Sequence, residues 1–262
     1  MMKIALLGDS ITQGIGTKKI NYENLILELL SGECIIKNFA SSGTMINYIN
    51  NLYDDILEFN PDLIIIMYGS VEAQIRPNVE RDRFKLWSLT PKRYHIGGML
   101  NPRPFYSKKF GRYVLDCLDN CFRGLLNKIL FLTQGKCQWM NISRFDEEYR
   151  KVLDFLKQEG YKNIMMVSTI YLDDSIYNGS LNEYKKYNSV IEKIADDTNN
   201  MYVDIFKVLE SLVTKDTLQW KYYYYKDNFH PNINGLKVIA DIIVDGIKVG
   251  EYSKELKEHE IS

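Results

Sequence analysis

Short apolar runs alternate with segments of helical periodicity along much of this 262-residue chain, and that alternation constrains the fold more than any other feature. Each run is four to six residues long, the usual length of a buried strand. Strands separated by helices pair in parallel and leave helices on both faces of the sheet. The predicted strands are residues 4–7, 34–39, 63–67, 164–167 and 201–205.

Between these runs, apolar residues recur at helical spacing. The predicted helices are residues 21–30, 46–59, 113–132, 145–156, 184–194 and 236–247. The chain is therefore predicted to be an α/β protein with a parallel sheet. In a flavodoxin-like winding, its ligand crevice would lie outside the carboxyl ends of strands 1 and 3.

The alternation stops between about residues 71 and 144, a segment too long for a connection within a compact α/β domain. We interpret residues 73–144 as an insertion or lid within a single domain of residues 1–262. This segment ends in the apolar-rich helix predicted over residues 113–132.

Part of the insertion is strongly basic and aromatic. Residues 81–113 hold one aspartate, Asp82, against Arg81, Arg83, Lys85, Lys92, Arg93, Arg103, Lys108, Lys109 and Arg112. Interleaved with them are Phe84, Trp87, Tyr94, Phe105, Tyr106, Phe110 and Tyr113. Four interpretations stay open: a solvated loop packed by its aromatics, a cleft for an anionic glycan, a membrane-surface patch with residues 114–132 as an interfacial helix, and a nucleic-acid site. No nucleic-acid fold signature accompanies the last.

Composition narrows the class of protein further. The net charge is −1, so the whole molecule is not built for a polyanionic partner. Four cysteines lack the paired spacing of a disulfide framework or zinc site. No apolar run reaches the length that spans a bilayer, and the first strand begins too early for a signal peptide. We expect a cytoplasmic protein with reduced thiols and no metal or cofactor.

A serine and a histidine at opposite ends of the chain are the candidate catalytic residues. Ser10 follows the first strand in Gly8-Asp9-Ser10, and His230 lies in Asp227-Asn228-Phe229-His230-Pro231-Asn232. A serine hydroxyl becomes a good nucleophile when a base takes its proton, and a carboxylate fixes the tautomer of a histidine base. Among three histidines, His230 alone has an aspartate three residues before it and a helix start behind it.

Two further loops follow predicted strands and are expected at the same edge of the sheet. Gly43 lies after strand 2, and Gly69-Ser70-Val71-Glu72 comes directly after strand 3. If the sheet is wound as above, both loops converge with Ser10 and His230 on one crevice.

Taken together, these motifs resemble the SGNH hydrolase family, also called GDSL esterases/lipases. The resemblance rests on Gly8-Asp9-Ser10 with Ile11-Thr12-Gln13-Gly14, a glycine after strand 2, and a late Asp-x-x-His-Pro-Asn. It implies a three-layer α/β/α sandwich whose five-stranded parallel sheet has the order 2-1-3-4-5. It also implies ester hydrolysis or acyl transfer with Ser10 as nucleophile, His230 as base and Asp227 orienting it. The backbone N–H groups of Ser10 and Gly43 would form part of the oxyanion hole.

One position departs from the family pattern. The third block of the family reads Gly-x-Asn-Asp, and its Asn donates to the oxyanion, whereas this chain has Val71 there. Three outcomes are open: a substitute donor among Ser42, Ser70 and Asn47, a slow enzyme with two backbone donors, or a site that has lost hydrolysis.

The remaining predicted site residues are Asp9, Ser70, Glu72 and Arg76, assigned to substrate binding. Asp9 is also predicted to brace the turn, and Glu72 to brace a loop. The predicted function is removal of an acyl group, chiefly O-acetyl, from a carbohydrate or a related polar ester, including anionic ones. The alternatives are an acyltransferase with the same triad and a glycan-binding protein on a degenerate hydrolase frame.

Overall fold

A computed structural model describes residues 1–17, 21–32, 34–82, 85–94, 100–177, 179–214, 216 and 218–259, with the backbone alone for residues 251–259. Arg83 and Phe84 of the predicted basic segment lie outside the described residues. No helix in the described part of the chain is long and apolar enough to cross a membrane.

The centre of the fold is a five-stranded parallel sheet with the order β2-β1-β3-β6-β7. The strands are β1 (Met2–Gly8), β2 (Cys34–Asn38), β3 (Leu63–Met67), β6 (Ile164–Val167) and β7 (Met201–Val203). A separate antiparallel pair is formed by β4 (Ile75–Pro77) and β5 (Lys136–Gln138). With the antiparallel pair set aside, the order is the predicted 2-1-3-4-5, so the predicted fold is confirmed.

Helices cover the sheet. They are α1 (Tyr22–Leu29), α2 (Tyr53–Phe59), α3 (Ser70–Ala73), α4 (Phe110–Gln134), α5 (Ile142–Gln158), α6 (Ser180–Thr198), α7 (Ile205–Val213), α8 (Gln219–Tyr223) and α9 (Ile233–His259). Short 3₁₀ helices are Ile46–Leu52, Val79–Arg81 and Lys92–Tyr94. Helix α1 packs with α9, while α5 packs with α6 and the first 3₁₀ helix.

The core runs through the middle strands. Residues 4–7 of β1 and 64–66 of β3 are completely buried, because both faces of these strands lie under helices. Such two-sided burial explains why their sequences are continuous apolar runs without alternation. The edge strand β2 alternates instead and leaves Ile35 half exposed.

Two predicted elements differ from the structure. The helix predicted over residues 46–59 is a 3₁₀ helix that passes into α2 at Tyr53. The strand predicted to end at Ile205 ends at Val203, because the Asp204 side chain accepts a hydrogen bond from the N–H of Lys207 and caps α7. Both segments have apolar residues whose spacing suits more than one local structure.

The segment predicted as an insertion, residues 73–144, folds mainly as the β4–β5 pair and the 25-residue helix α4. It has a small core of its own, in which Tyr94, Leu100 and Leu130 are buried. We propose that this segment is an inserted unit, since the main sheet passes from β3 directly to β6.

Replacing Ile65 with alanine tests the central place of β3. Ile65 is fully buried between Leu6 of β1 and Met165 of β6, so I65A should lower the free energy of unfolding by about 2–5 kcal/mol. Urea denaturation measures this change. The matched control I35A removes the same atoms from the half-exposed edge strand and should lower the free energy of unfolding by less than about 1 kcal/mol. Equal losses of stability in the two variants would contradict this topology.

Candidate active site

The structure brings Ser10, His230 and Asp227 into one hydrogen-bonded line. Ser10 Oγ lies 3.0 Å from His230 Nε2, and His230 Nδ1 lies 2.6 Å from Asp227 Oδ2. Ser10 and Asp227 are almost fully buried, while the imidazole keeps a small exposed edge. A carboxylate on Nδ1 keeps the proton there and leaves the Nε2 lone pair facing the hydroxyl. This geometry brings the three predicted catalytic residues together, and their catalytic roles stay a prediction.

The turn after β1 holds Ser10 in place. Asp9 Oδ1 accepts a hydrogen bond from the N–H of Ile11 at 2.9 Å, and the N–H of Gln13 donates to the carbonyl of Asp9. Gly8 is required where the turn begins, because a Cβ there would lie 2.0 Å from Thr12 Oγ1. The predicted bracing role of Asp9 fits these contacts.

The loop before α9 aims Asp227 at the imidazole. Asp227 Oδ1 accepts hydrogen bonds from the N–H groups of Phe229 and His230, at 3.2 and 3.1 Å. Asn228 adopts a left-handed conformation, φ 50°, which folds the loop back on the aspartate. Tyr177 Oη donates to the carbonyl of Asp227 at 3.1 Å. One oxygen of Asp227 thus shapes its loop while the other orients His230.

Asp9 is a buried carboxyl beside the triad. Burial raises its pKa from the ordinary 3.8 to about 6, against the opposing effects of the Ile11 hydrogen bond and of nearby His230. Among the described residues, Asp9 Oδ2 is buried without a hydrogen-bond partner. An ionised Asp9 is therefore costly in the fold, and its negative charge lies near the imidazole.

Two backbone N–H groups are available for an oxyanion. Within the described part of the chain, neither the N–H of Ser10 nor that of Gly43 donates to a backbone acceptor. Gly43 has φ 74°, a conformation that favours glycine, and its loop is exposed. The N–H of Ser41 donates to the carbonyl of Gly8 at 3.2 Å, and Asn38 bridges the two loops by donating to the carbonyl of Thr12. The loops that carry both groups are therefore fastened together.

Glu72 fastens the third loop to the second. Its side chain is completely buried, and its two oxygens accept hydrogen bonds from the N–H groups of Ile46 and Gly69, at 2.7 and 2.9 Å. Burial raises its pKa to about 8, although these hydrogen bonds act in the opposite direction. These contacts support the loop-bracing role predicted for Glu72.

The other predicted residues lie around this frame. Ser70 is buried at the start of α3, and its carbonyl accepts a hydrogen bond from Tyr184 Oη. The Arg76 guanidinium lies over the ring of Trp139, 3.9 Å from its centre. Direct contact of Asp9, Ser70, Glu72 or Arg76 with a substrate stays a prediction.

Val71 lies on α3 and is half buried. Of the three residues predicted as substitute donors, Ser42 is exposed in the Gly43 loop, Asn47 is half buried in the first 3₁₀ helix, and Ser70 is buried. Ser42 therefore has the greatest freedom to face a ligand, and a donor role for it stays a prediction.

The predicted insertion reaches the loop that carries Asp227 and His230. The Phe105 ring meets Tyr225 edge-on, with centroids 4.7 Å apart. Lys226, one residue before Asp227, lies over the rings of Tyr106 and Tyr113, at 4.6 and 5.1 Å. Aromatic side chains of the insertion thus flank the segment that carries Asp227 and His230.

Several residues that hold the loops of the site in place were not recognised from the sequence. Asn38 is the last residue of β2, a position that could have been recognised as a loop anchor at the carboxyl edge. Tyr177 and Tyr184 lie among 19 tyrosines, and nothing in their spacing distinguishes them. Among the described residues, no group of three or more His, Cys, Asp or Glu side chains is placed to hold a metal ion.

Comparisons with known proteins agree with this architecture. A family model described as "GDSL-like Lipase/Acylhydrolase family" matches residues 6–238. No curated protein matches the chain.

Solved structures share the fold at low sequence identity. An acetyl xylan esterase, AlAXEase, is 18% identical with a TM-score of 0.58, over 94% of this chain and 100% of that one. A catalytic mutant of Axe2, an acetylxylan esterase from Geobacillus stearothermophilus, is 16% identical with a TM-score of 0.60, over 94% of both chains. A putative GDSL-like lipase from Parabacteroides merdae is 16% identical with a TM-score of 0.57, over 94% of both chains.

The substitution Asp9→Asn should make the protein more stable in alkaline solution. Because the folded-state pKa of Asp9 is raised to about 6, wild type loses stability as pH rises from about 4 through 6. An asparagine carries no charge, so D9N should be about 2–3 kcal/mol more stable than wild type at pH 8 and lose this advantage near pH 4. Urea denaturation across this pH range measures the difference.

The control is Asp241→Asn, at an exposed position within α9. It should change the free energy of unfolding by less than about 0.5 kcal/mol at either pH. A D9N advantage that does not vary between pH 4 and 8 would contradict the raised pKa of Asp9.

Proposed function

This chain belongs to the GDSL-like lipase/acylhydrolase family, and we propose that it removes an acyl group, chiefly O-acetyl, from a carbohydrate or a related polar ester through an acyl-serine intermediate. The family and its structural relatives make the chain an ester-bond hydrolase. The observation that carries the finer proposal is the line from Asp227 through His230 to Ser10.

The acylation step follows from these contacts. Ser10 Oγ attacks the carbonyl carbon of the ester while His230 Nε2 takes the hydroxyl proton. Asp227 stabilises the imidazolium that forms, and the N–H groups of Ser10 and Gly43 donate to the carbonyl oxygen as it becomes negative. His230 then gives its proton to the leaving alkoxide, and the ester bond breaks to leave acyl-Ser10.

Deacylation repeats the sequence with water as nucleophile. His230 Nε2 takes a proton from water, the hydroxide oxygen attacks the acyl carbon, and the same proton returns to Ser10 Oγ. The acid leaves, and the starting hydrogen bonds are restored. The partial exposure of His230 supports this step, since water has to reach its edge.

Two observations support a polar carbohydrate ester as substrate. The structural relatives include two acetylxylan esterases with the same fold. The aromatic residues Phe105, Tyr106 and Tyr225 lie beside the loop that carries Asp227 and His230, and aromatic rings are side chains on which sugars stack.

Fluorophosphonate labelling and the Ser10→Ala substitution test the nucleophile. We expect one adduct on the peptide that contains Ser10, and a fall in acetyl-ester hydrolysis of about 10⁴-fold or more in S10A. Ser211→Ala, an exposed serine on α7, is the matched control and should keep wild-type rates. Equal hydrolysis by S10A and wild type, or an adduct elsewhere, would disprove the mechanism.

Product analysis separates hydrolysis from transfer. With an acetylated sugar donor and a free glycan acceptor, the proposal predicts acetate and an acceptor that gains no acetyl groups. Acetylation of the glycan in preference to acetate release would identify an acyltransferase with the same acyl-serine.

The Val71→Asn substitution tests the missing donor. We propose that the wild-type site works with two backbone donors, so an amide at position 71 should raise kcat for acetyl esters by about 10- to 100-fold. Steady-state kinetics of V71N measure this gain, and Val71→Leu is the control because leucine has the size and shape of asparagine without a donor. An unchanged kcat in folded V71N would mean that another group, such as Ser42, already donates.

A further inference from the structure

Helix α4 buries mostly polar residues and exposes most of its apolar ones. Its buried residues are Asp116, Arg123, Leu130 and Gln134. The exposed large apolar residues of this one helix are Phe110, Tyr113, Val114, Leu115, Leu118, Phe122, Leu125, Ile129 and Leu132. A surface helix usually has the opposite polarity.

The inward face is held by ion pairs. Asp119 is 2.8 Å from Arg123, 2.9 Å from Arg103 and 3.0 Å from Arg93, and it accepts a hydrogen bond from Tyr94 Oη. Although burial acts to raise the pKa of Asp119, the hydrogen bonds from Tyr94, Arg103 and Arg123 bring it well below its usual range. The orientation of α4 is therefore fixed by its polar side, and the helix has no freedom to turn its apolar side inward.

The outward face has the spacing of a helix–helix contact. Its central residues alternate in steps of three and four, which is a heptad pattern. We call them the α4 stripe: Leu115, Leu118, Phe122, Leu125, Ile129 and Leu132. Their side chains are 38–88% exposed, although each would be expected in a core.

We propose that the α4 stripe is an interface on which a second copy of this chain docks, with α4 packed against α4 of its partner. The 25-residue helix is about 37 Å long, enough for five turns of continuous contact. At roughly 100 Å² per large apolar side chain, the six residues of the stripe offer roughly 600 Å² on each chain, and all nine exposed residues of α4 offer roughly 900 Å². A standard interface buries about 800 Å² per partner.

The spacing of the stripe favours a second copy over an anionic lipid surface. Three of the nine basic residues in segment 81–113, Arg93, Arg103 and Arg112, pair with Asp116 and Asp119 inside the insertion. With a net charge of −1, two copies do not repel each other at long range. Repeated three-four spacing also suits a facing helix better than a planar bilayer.

Sedimentation velocity tests the proposal on the full chain. Wild type should sediment at twice the 30.7 kDa chain mass across the micromolar range. A reductant must be present because Cys121 is exposed on α4 and could form a disulfide. Leu118→Glu and Leu125→Glu place a charge in the stripe without touching the core, and both should sediment as monomers.

Leu89→Glu is the matched control, because Leu89 is also highly exposed in the inserted segment but lies outside α4. It should remain dimeric, and circular dichroism should show all three variants folded. Monomeric wild type across this range would overturn the proposal, as would dimers that survive in both stripe variants. Monomeric wild type that co-sediments with phosphatidylglycerol vesicles would assign the stripe to a lipid surface instead.

Discussion

Parallel pairing of β1 with β2 and β3 is the constraint on which the site depends. Because the three strands run in the same direction, their carboxyl ends deliver the Ser10 turn, the Gly43 loop and the Gly69 loop to one edge of the sheet. His230 then reaches Ser10 from 220 positions away. Hydrogen bonds that Asn38 and the N–H of Ser41 donate, and others that Glu72 accepts, fasten the loops to one another.

Two of the side chains that hold these loops in place are carboxyls, which are costly to bury. Asp9 and Glu72 are buried carboxyls whose pKa values are raised to about 6 and about 8. Replacing either by a neutral group would relieve the desolvation cost, but both hold backbone N–H groups of the loops around Ser10. Burial of these two carboxyls therefore lowers the stability of the fold where the site needs fixed loops, a trade-off that is common in enzymes.

Much of this could be predicted from sequence, for definite reasons. Buried central strands are continuous apolar runs, so Leu63–Met67 and Ile164–Val167 were predicted to the residue. Residues 46–52 could not be recognised as 3₁₀, because their apolar spacing fits an α-helix equally well. Tyr177 could not be recognised from the sequence, because a hydrogen bond to a distant carbonyl leaves no local pattern. The basic segment could not be interpreted on its own, since three of its arginines, Arg93, Arg103 and Arg112, pair with Asp116 and Asp119 of the helix behind it.

We propose that Asp227 fixes a proton on His230 Nδ1 and so directs His230 Nε2 at Ser10 Oγ. Proton NMR of ¹⁵N-histidine-labelled protein tests it, and the chain has only three histidines to assign. We expect one strongly downfield proton bonded to His230 Nδ1, and loss of this signal in Asp227→Ala. A protonated Nε2 with a bare Nδ1, or a downfield signal that survives in Asp227→Ala, would contradict it.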